Sequence, residues 1–188
     1  MSFAQFSLDP ALLRGIADLG FETPTPIQNA AIPIGLAGRD VLACAMTGSG
    51  KTAAFMLPVL QRLLAERKRA TRALVLTPTR ELAAQIEDHA RRLARHAGIG
   101  VASVIGGVAF GPQEQALRRG IDIVVATPGR LLDHLRDGLH PDGAAAHGRD
   151  RPDQGRADGG LPCSASPAGS RHLPVAGRRR SSFGPARA

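Results

Sequence analysis

The stretch Ala43-Cys44-Ala45-Met46-Thr47-Gly48-Ser49-Gly50-Lys51-Thr52 concentrates residue types that hold a phosphate. From Ala45 onward it reads as a small residue, four of any kind, then Gly-Lys-Thr. Glycines let backbone N–H groups turn into such a loop and approach phosphate oxygens. A helix opening at the lysine adds the partial positive charge of its N-terminus. Lys51 can reach terminal phosphates, and the Thr52 hydroxyl can ligate Mg²⁺. The candidate phosphate-binding residues are therefore Ala45, Thr47, Gly48, Ser49, Gly50, Lys51 and Thr52. Lys51 and Thr52 are the candidate catalytic pair, and Thr52 is the candidate metal ligand. The competing reading is a Gly-rich turn that matches by accident; an apolar run before it and helical periodicity after it oppose that.

Such a loop works only if a strand delivers it and a helix leaves it. Four short apolar runs rich in β-branched residues read as strands: residues 40–45, 73–79, 101–107 and 121–130. Helical segments, 51–68 and 80–98, join the first three, and a shorter one near 112–120 joins the last two. Strands alternating with helices predict an α/β fold: a parallel sheet covered on both faces, with ligands beyond the carboxyl ends of the strands. Upstream, Asp9-Pro10 opens a helix as N-cap and first-turn proline, and Gly20 closes it. Leu12, Leu13, Ile16 and Leu19 share one face of that helix. A second helix is expected over 27–36, disturbed by Pro33.

Composition sets outer bounds. The 188 residues are 43% hydrophobic but only 3% aromatic, so the core must be aliphatic. Net charge is +8, almost all from arginine, because lysine occurs only at Lys51 and Lys68. A basic balance favours an anionic partner, nucleic acid first. Cys44 and Cys163 stand far apart without a CxxC or Cys/His cluster, which argues against a zinc site or a disulfide framework. Cys44 is expected as a small buried strand residue. No signal-peptide pattern opens the chain and no apolar run is long enough to span a bilayer, so the expectation is a cytoplasmic protein.

Further stretches carry a family resemblance. Gly20–Gln28, GFETPTPIQ, resembles the Q motif of DEAD-box ATP-dependent RNA helicases. PTRELAAQ, residues 78–85, resembles motif Ia; Gly106-Gly107 resembles the family's double glycine; ATPGR, residues 126–130, resembles motif Ib. The resemblance covers roughly residues 3–138 and identifies the chain with the N-terminal RecA-like domain, a P-loop NTPase fold. It implies ATP and Mg²⁺ as cofactors and RNA as partner, bound through its backbone without regard to sequence. By resemblance Gln28 hydrogen-bonds the adenine edge, for which an amide supplies both donor and acceptor, and Phe21 stacks on its face. Phe6 resembles the isolated upstream aromatic, with core packing as the alternative. Pro78, Thr79, Arg80, Glu81, Gly106, Gly107, Thr127, Pro128, Gly129 and Arg130 are the implied RNA-binding residues. Arginines pair with phosphates and hydroxyls bond backbone oxygens, contacts that carry little sequence information.

The Asp-Glu-Ala-Asp stretch that names the family, expected after TPGR behind an apolar strand, does not occur in these residues. The only adjacent acid pair is Glu87-Asp88, in the helix after motif Ia. Asp122 precedes its strand, and Asp133 and Asp137 follow motif Ib. Residues 139–188 hold eight Gly, six Pro and eight Arg, with no Ile, Lys, Glu or Thr. That composition buries too little apolar surface to offset chain entropy, so a disordered tail is expected after a partial domain over 1–138. A frameshift or aberrant gene end is one expectation for it, and a natural Arg/Gly-rich extension the other. The function read here is an ATP-dependent RNA helicase domain with hydrolysis and unwinding lost. The alternatives are a non-catalytic nucleotide- or RNA-binding remnant, a different P-loop NTPase and a non-functional truncation product.

Overall fold

The computed structural model describes residues 2–65 and 70–137. The expected tail from 139, Cys163 and the end of the helical segment at 66–68 lie outside the described residues. A 3₁₀ turn, Phe3–Phe6, precedes α1 (Pro10–Asp18) and α2 (Pro26–Leu36). There follow α3 (Lys51–Ala65), β1 (Ala73–Leu76), α4 (Arg80–Leu93) and β2 (Val101–Val104). The described part closes with α5 (Phe110–Arg118), β3 (Ile123–Ala126) and α6 (Pro128–Arg136).

Local chemistry sets the helix starts. The Asp9 carboxylate accepts from Ala11 N at 2.8 Å, with Pro10 in the first turn, as the sequence predicts. Gly20 follows α1 with φ +70°. Thr79 caps α4: its Oγ1 accepts from Leu82 N at 3.2 Å. α2 runs unbroken through Pro33, whose side of the helix is exposed, so the donor that proline lacks is not missed in a core.

The three strands are all parallel, in the order β1-β3-β2. Ala73, Ile123 and Val101 stand level at one end, and Leu76, Ala126 and Val104 at the other. Asp122, immediately before β3, pins the starting end. Its Oδ1 accepts from Arg72 Nη2 at 2.5 Å and its Oδ2 from Gly100 N at 2.9 Å. Its backbone carbonyl accepts from Arg72 N and Ala73 N. Because side chains alternate along a strand, β3 serves two cores. Ile123 and Val125 face a large cluster with Leu12, Ile32, Met56, Leu57, Leu60 and Leu93, from α1 to α4. Val124 and Ala126 face a smaller one with Val104, Leu117 and Leu131, from β2, α5 and α6.

Three further expectations need correction. Residues 40–45 do not form a strand: they carry no regular secondary structure and pair with no strand, and Leu42 is fully exposed. An apolar run becomes a strand only by hydrogen-bonding to a neighbouring strand, and none of the described residues lies alongside to do so. The segment stands away from α2 and α3 across a cavity of about 710 Å³, lined also by Phe55, Pro58 and Ile86. Cys44 is accordingly exposed, not buried. Nor is the sheet covered on both faces throughout. Ala73 and Val75 pack on the large core, whereas Leu74 and Leu76 are 50% and 58% exposed.

Two outcomes follow from this packing. Amide hydrogen exchange will be slowest at Ile123–Ala126 and rapid at 40–46; equal protection across both segments would refute the unpaired assignment. α1 meets α4 at Gly15, where a Cβ would come within 2.3 Å of Leu93 O. Gly15→Ala should therefore destabilise by about 1–3 kcal/mol, read as a lower denaturant midpoint.

Candidate functional site

Two groups of residues gather near the carboxyl ends of the strands and the start of α3. The first is the phosphate loop. Gly50 adopts φ +87°, and a Cβ there would lie 2.5 Å from Gln28 Nε2. Only glycine serves at that position, for reasons of both backbone and space. Gln28 is buried, 2% exposed, and committed at both ends of its amide. Its Oε1 accepts from Thr25 N at 2.9 Å, and its Nε2 donates to Gly50 O at 3.2 Å. The Thr25 hydroxyl donates to Ser49 O at 2.8 Å. The start of α2 is thus latched onto the loop by Thr25 and Gln28, although the two lie more than twenty residues apart in the chain.

Inside the loop, Lys51 Nζ donates to Ala45 O at 2.5 Å and to Met46 O at 2.6 Å. The ammonium is drawn back across the loop by carbonyls. Ser49 Oγ is buried and has no hydrogen-bond partner. Thr52 lies in the first turn of α3, and Lys51 and Thr52 together form one end of the 710 Å³ cavity. Thr47 and Gly48 are exposed at the loop surface and Ala45 is half-buried. Among the described residues no group of three His, Cys, Asp or Glu side chains forms a metal-binding cluster.

Phe21 stands apart from this loop network. Its ring stacks on Phe3, with centroids 6.5 Å apart, and meets His89 of α4 at 5.8 Å. Phe6 meets Phe3 edge to face at 6.1 Å and packs against the large core. His89 was not singled out by the sequence. Burial, then the charge of Arg92, holds its pKa below the ordinary 6.5; its Nε2 is buried without a partner.

The second group lies where the loops after β1, β2 and β3 meet. All the predicted RNA-binding residues except Pro128 line one cavity of about 620 Å³, which Asp133 also lines. Pro128 is the exposed first residue of α6. The double glycine has a more specific role here than close approach of a ligand. The Arg80 guanidinium lies against it: a Cβ on Gly107, whose φ is +82°, would come within 2.0 Å of Arg80 Nη1. Thr79 Oγ1 is already an acceptor in capping α4, so toward a ligand it retains its O–H donor. Thr127 precedes α6 without capping it through its side chain. Arg130 Nη2 donates to Val108 O at 3.3 Å, and its guanidinium carbon sits 5.5 Å from the centre of the Phe110 ring. Phe110 stacks in turn on His134, with centroids 3.8 Å apart at 20°. Among the described residues neither Arg80 nor Arg130 has an ion-pair partner, whereas Arg91 and Arg118 pair with Glu87 and Glu114.

The sequence profile of the DEAD/DEAH box helicases matches residues 25–145, a span holding the latch, the loop and the second cavity. The chain belongs to the DEAD/DEAH box helicase family. Its relatives in this family include DEAD-box ATP-dependent RNA helicase 28 of Oryza sativa, 54% identical over 140 residues. The protein of the same name in Arabidopsis thaliana is 52% identical over 143 residues. These alignments cover 73% and 75% of this chain but 18% of each relative; the chain thus spans under a fifth of the length of those helicases. Among solved structures, the RNA helicase Prp28 from Chaetomium thermophilum bound to ADP superposes with a TM-score of 0.68 at 46% identity. That match covers 73% of this chain and 35% of the other. A hypothetical ATP-dependent RNA helicase from Sulfolobus tokodaii gives 0.64 at 41% identity, over 71% and 38%. The fold is therefore that of a RecA-like helicase domain built on a parallel sheet. No described helix is long and apolar enough to cross a membrane.

His134 supplies a pH test of this packing. It is fully buried with neither ring nitrogen hydrogen-bonded. Burial, then the Arg130 charge, lowers its pKa, while Glu114, Asp137 and Asp133 act the other way. The folded state holds the neutral ring, and the unfolded chain takes up a proton near the ordinary 6.5. Stability is then complete above that value and falls as pH drops below it. The melting temperature should decline from about pH 7 to about pH 5, and more shallowly in His134→Leu. Identical slopes would show that His134 is not the group responsible.

Proposed function

We propose that this chain acts as the ATP- and RNA-binding first domain of an ATP-dependent RNA helicase, over residues 1–138. The observation that carries the reading is the convergence of motifs distant in sequence on one cavity with two arginines unpaired among the described residues. Guanidinium groups beside open hydroxyls and glycines suit the phosphates and sugars of a nucleic-acid strand. They offer little that would read bases, so binding is independent of sequence.

The loop fits a nucleotide triphosphate. The unpartnered Ser49 hydroxyl and the Lys51 ammonium are both donors in want of a strong acceptor. Phosphate oxygens would take Lys51 from two loop carbonyls, and the start of α3 supports the negative charge. Thr52 would hold Mg²⁺ together with the phosphate oxygens, and the bound ion would supply charge neutralisation at the transferring group. For adenine, Gln28 would have to exchange its present partners, Thr25 N and Gly50 O, for the base edge. Phe21 would serve adenine from its place beside Phe3 and His89.

Hydrolysis by the 188-residue polypeptide itself is slow in this reading. Two of its acids are engaged elsewhere. Asp122 is held by Arg72 at the starting ends of the strands, and Glu87 is held by Arg91 on α4. A phosphate cradle without carboxylates to anchor Mg²⁺ and orient water loses several orders of magnitude in rate.

Calorimetric titration with ATP, ADP and GTP tests the reading. Adenine nucleotides should bind more tightly than GTP, and Lys51→Ala should abolish binding of all three. Phosphate release should stay at background with or without RNA. Rapid RNA-stimulated release that depends on Lys51 would overturn the slow-hydrolysis part. Equal affinity for ATP and GTP would overturn the adenine part.

A further inference from the structure

Arg130 and His134 are one helical turn apart on α6 and so share a face, and Phe110 at the start of α5 meets both. The His134 ring is fully buried without a hydrogen bond at either nitrogen. That is a costly way to fill a core position that leucine would fill without unpartnered polar atoms. What the imidazole supplies is a flat face, 3.8 Å from Phe110 and inclined to it by only 20°. The stack fixes the phenyl plane, and the Arg130 guanidinium sits over that plane beside the cavity. Attraction between a guanidinium and an aromatic face orients the cation without neutralising it. A carboxylate would orient it equally well but would cancel the charge a phosphate needs. Asp133, three residues along α6 and lining the same cavity, is such a carboxylate, yet among the described residues no ion pair joins it to Arg130.

We propose that Phe110 is a positioning residue for RNA binding: its ring, backed by His134, holds Arg130 toward the strand phosphates and away from Asp133. This rests on reading the cavity as an RNA-backbone surface. The contact is geometric and directional. It therefore requires a planar aromatic at 110 and a planar cation at 130, which a merely space-filling role would not.

The test is anisotropy titration of a labelled oligouridylate with the full 188-residue chain. Phe110→Leu, which keeps apolar bulk, should weaken binding about two- to five-fold, and Phe110→Tyr should restore it. Arg130→Gln should weaken binding and lower the salt-dependence slope by about one. Adding Phe110→Leu to Arg130→Gln should cost nothing more. Arg130→Lys keeps the charge without the planar face and leaves the core untouched, so it decides the matter even should the leucine variant fail to fold; it should lose affinity by a similar factor. A lysine as good as arginine, or a leucine penalty that adds in full to that of Arg130→Gln, overturns the positioning role. If Arg130→Gln leaves RNA affinity unchanged, the RNA reading of the cavity itself fails. If Arg130→Gln weakens binding while Phe110→Leu does not, only the role of Phe110 fails.

Discussion

The carboxylate of Asp122 is the fixed point of the described structure. One oxygen takes the Arg72 guanidinium and the other takes the Gly100 amide, while the backbone carbonyl of the same residue starts the ladder to β1. A single residue thus ties the beginnings of all three strands, and parallel pairing carries that level along each of them. Because the strands are all four residues long, their far ends are level too. The loops that leave those ends emerge side by side, which is why Arg80, Gly107 and Arg130 line one cavity. The ion pair is largely shielded, with side chains 14% and 17% exposed. Removing Asp122 alone would take one acceptor from the Arg72 guanidinium, which also donates to Leu63 O, and one from the Gly100 amide; losing a shielded acceptor of this kind is what makes broken pairs expensive.

The phosphate loop depends on a different support. Thr25 and Gln28 hold it from α2, and α2 in turn packs along α3. The loop and the cavity at the strand ends therefore have separate foundations: helical packing for one, strand register for the other. Arg80 sits on the double glycine as a plate sits in a recess. Two stretches more than twenty residues apart in the chain thus meet at this contact.

Much of this was readable from residue types. The runs at 73–79, 101–107 and 121–130 each held a strand because a short β-branched stretch bounded by Thr, Pro or Gly suits a buried parallel strand. Asp9-Pro10 told the start of α1 because capping is a local matter of one side chain and its own backbone. Failure came where the deciding partner is remote. Val41 and Leu42 look like strand residues by composition, but pairing is a property of two segments, and only one was on view. Gln28 advertises a donor and an acceptor, yet nothing local says that Thr25 N and Gly50 O already use them. Phe110 gave no signal except a spacing that becomes visible once α5 and α6 are set against each other.

The uncovered side of β1 sets how the protein behaves in company. Leu74 and Leu76 present a narrow greasy stripe to water beside an edge whose amides have no ladder partner among the described residues. Two molecules carrying a formal charge of +8 repel each other, but that repulsion fades over roughly 8–10 Å in physiological salt. Leucine-to-leucine contact begins well inside that range. Raising the ionic strength would thus remove the barrier and leave the stickiness intact, so the chain should keep apart best in dilute buffer and cluster as salt is added.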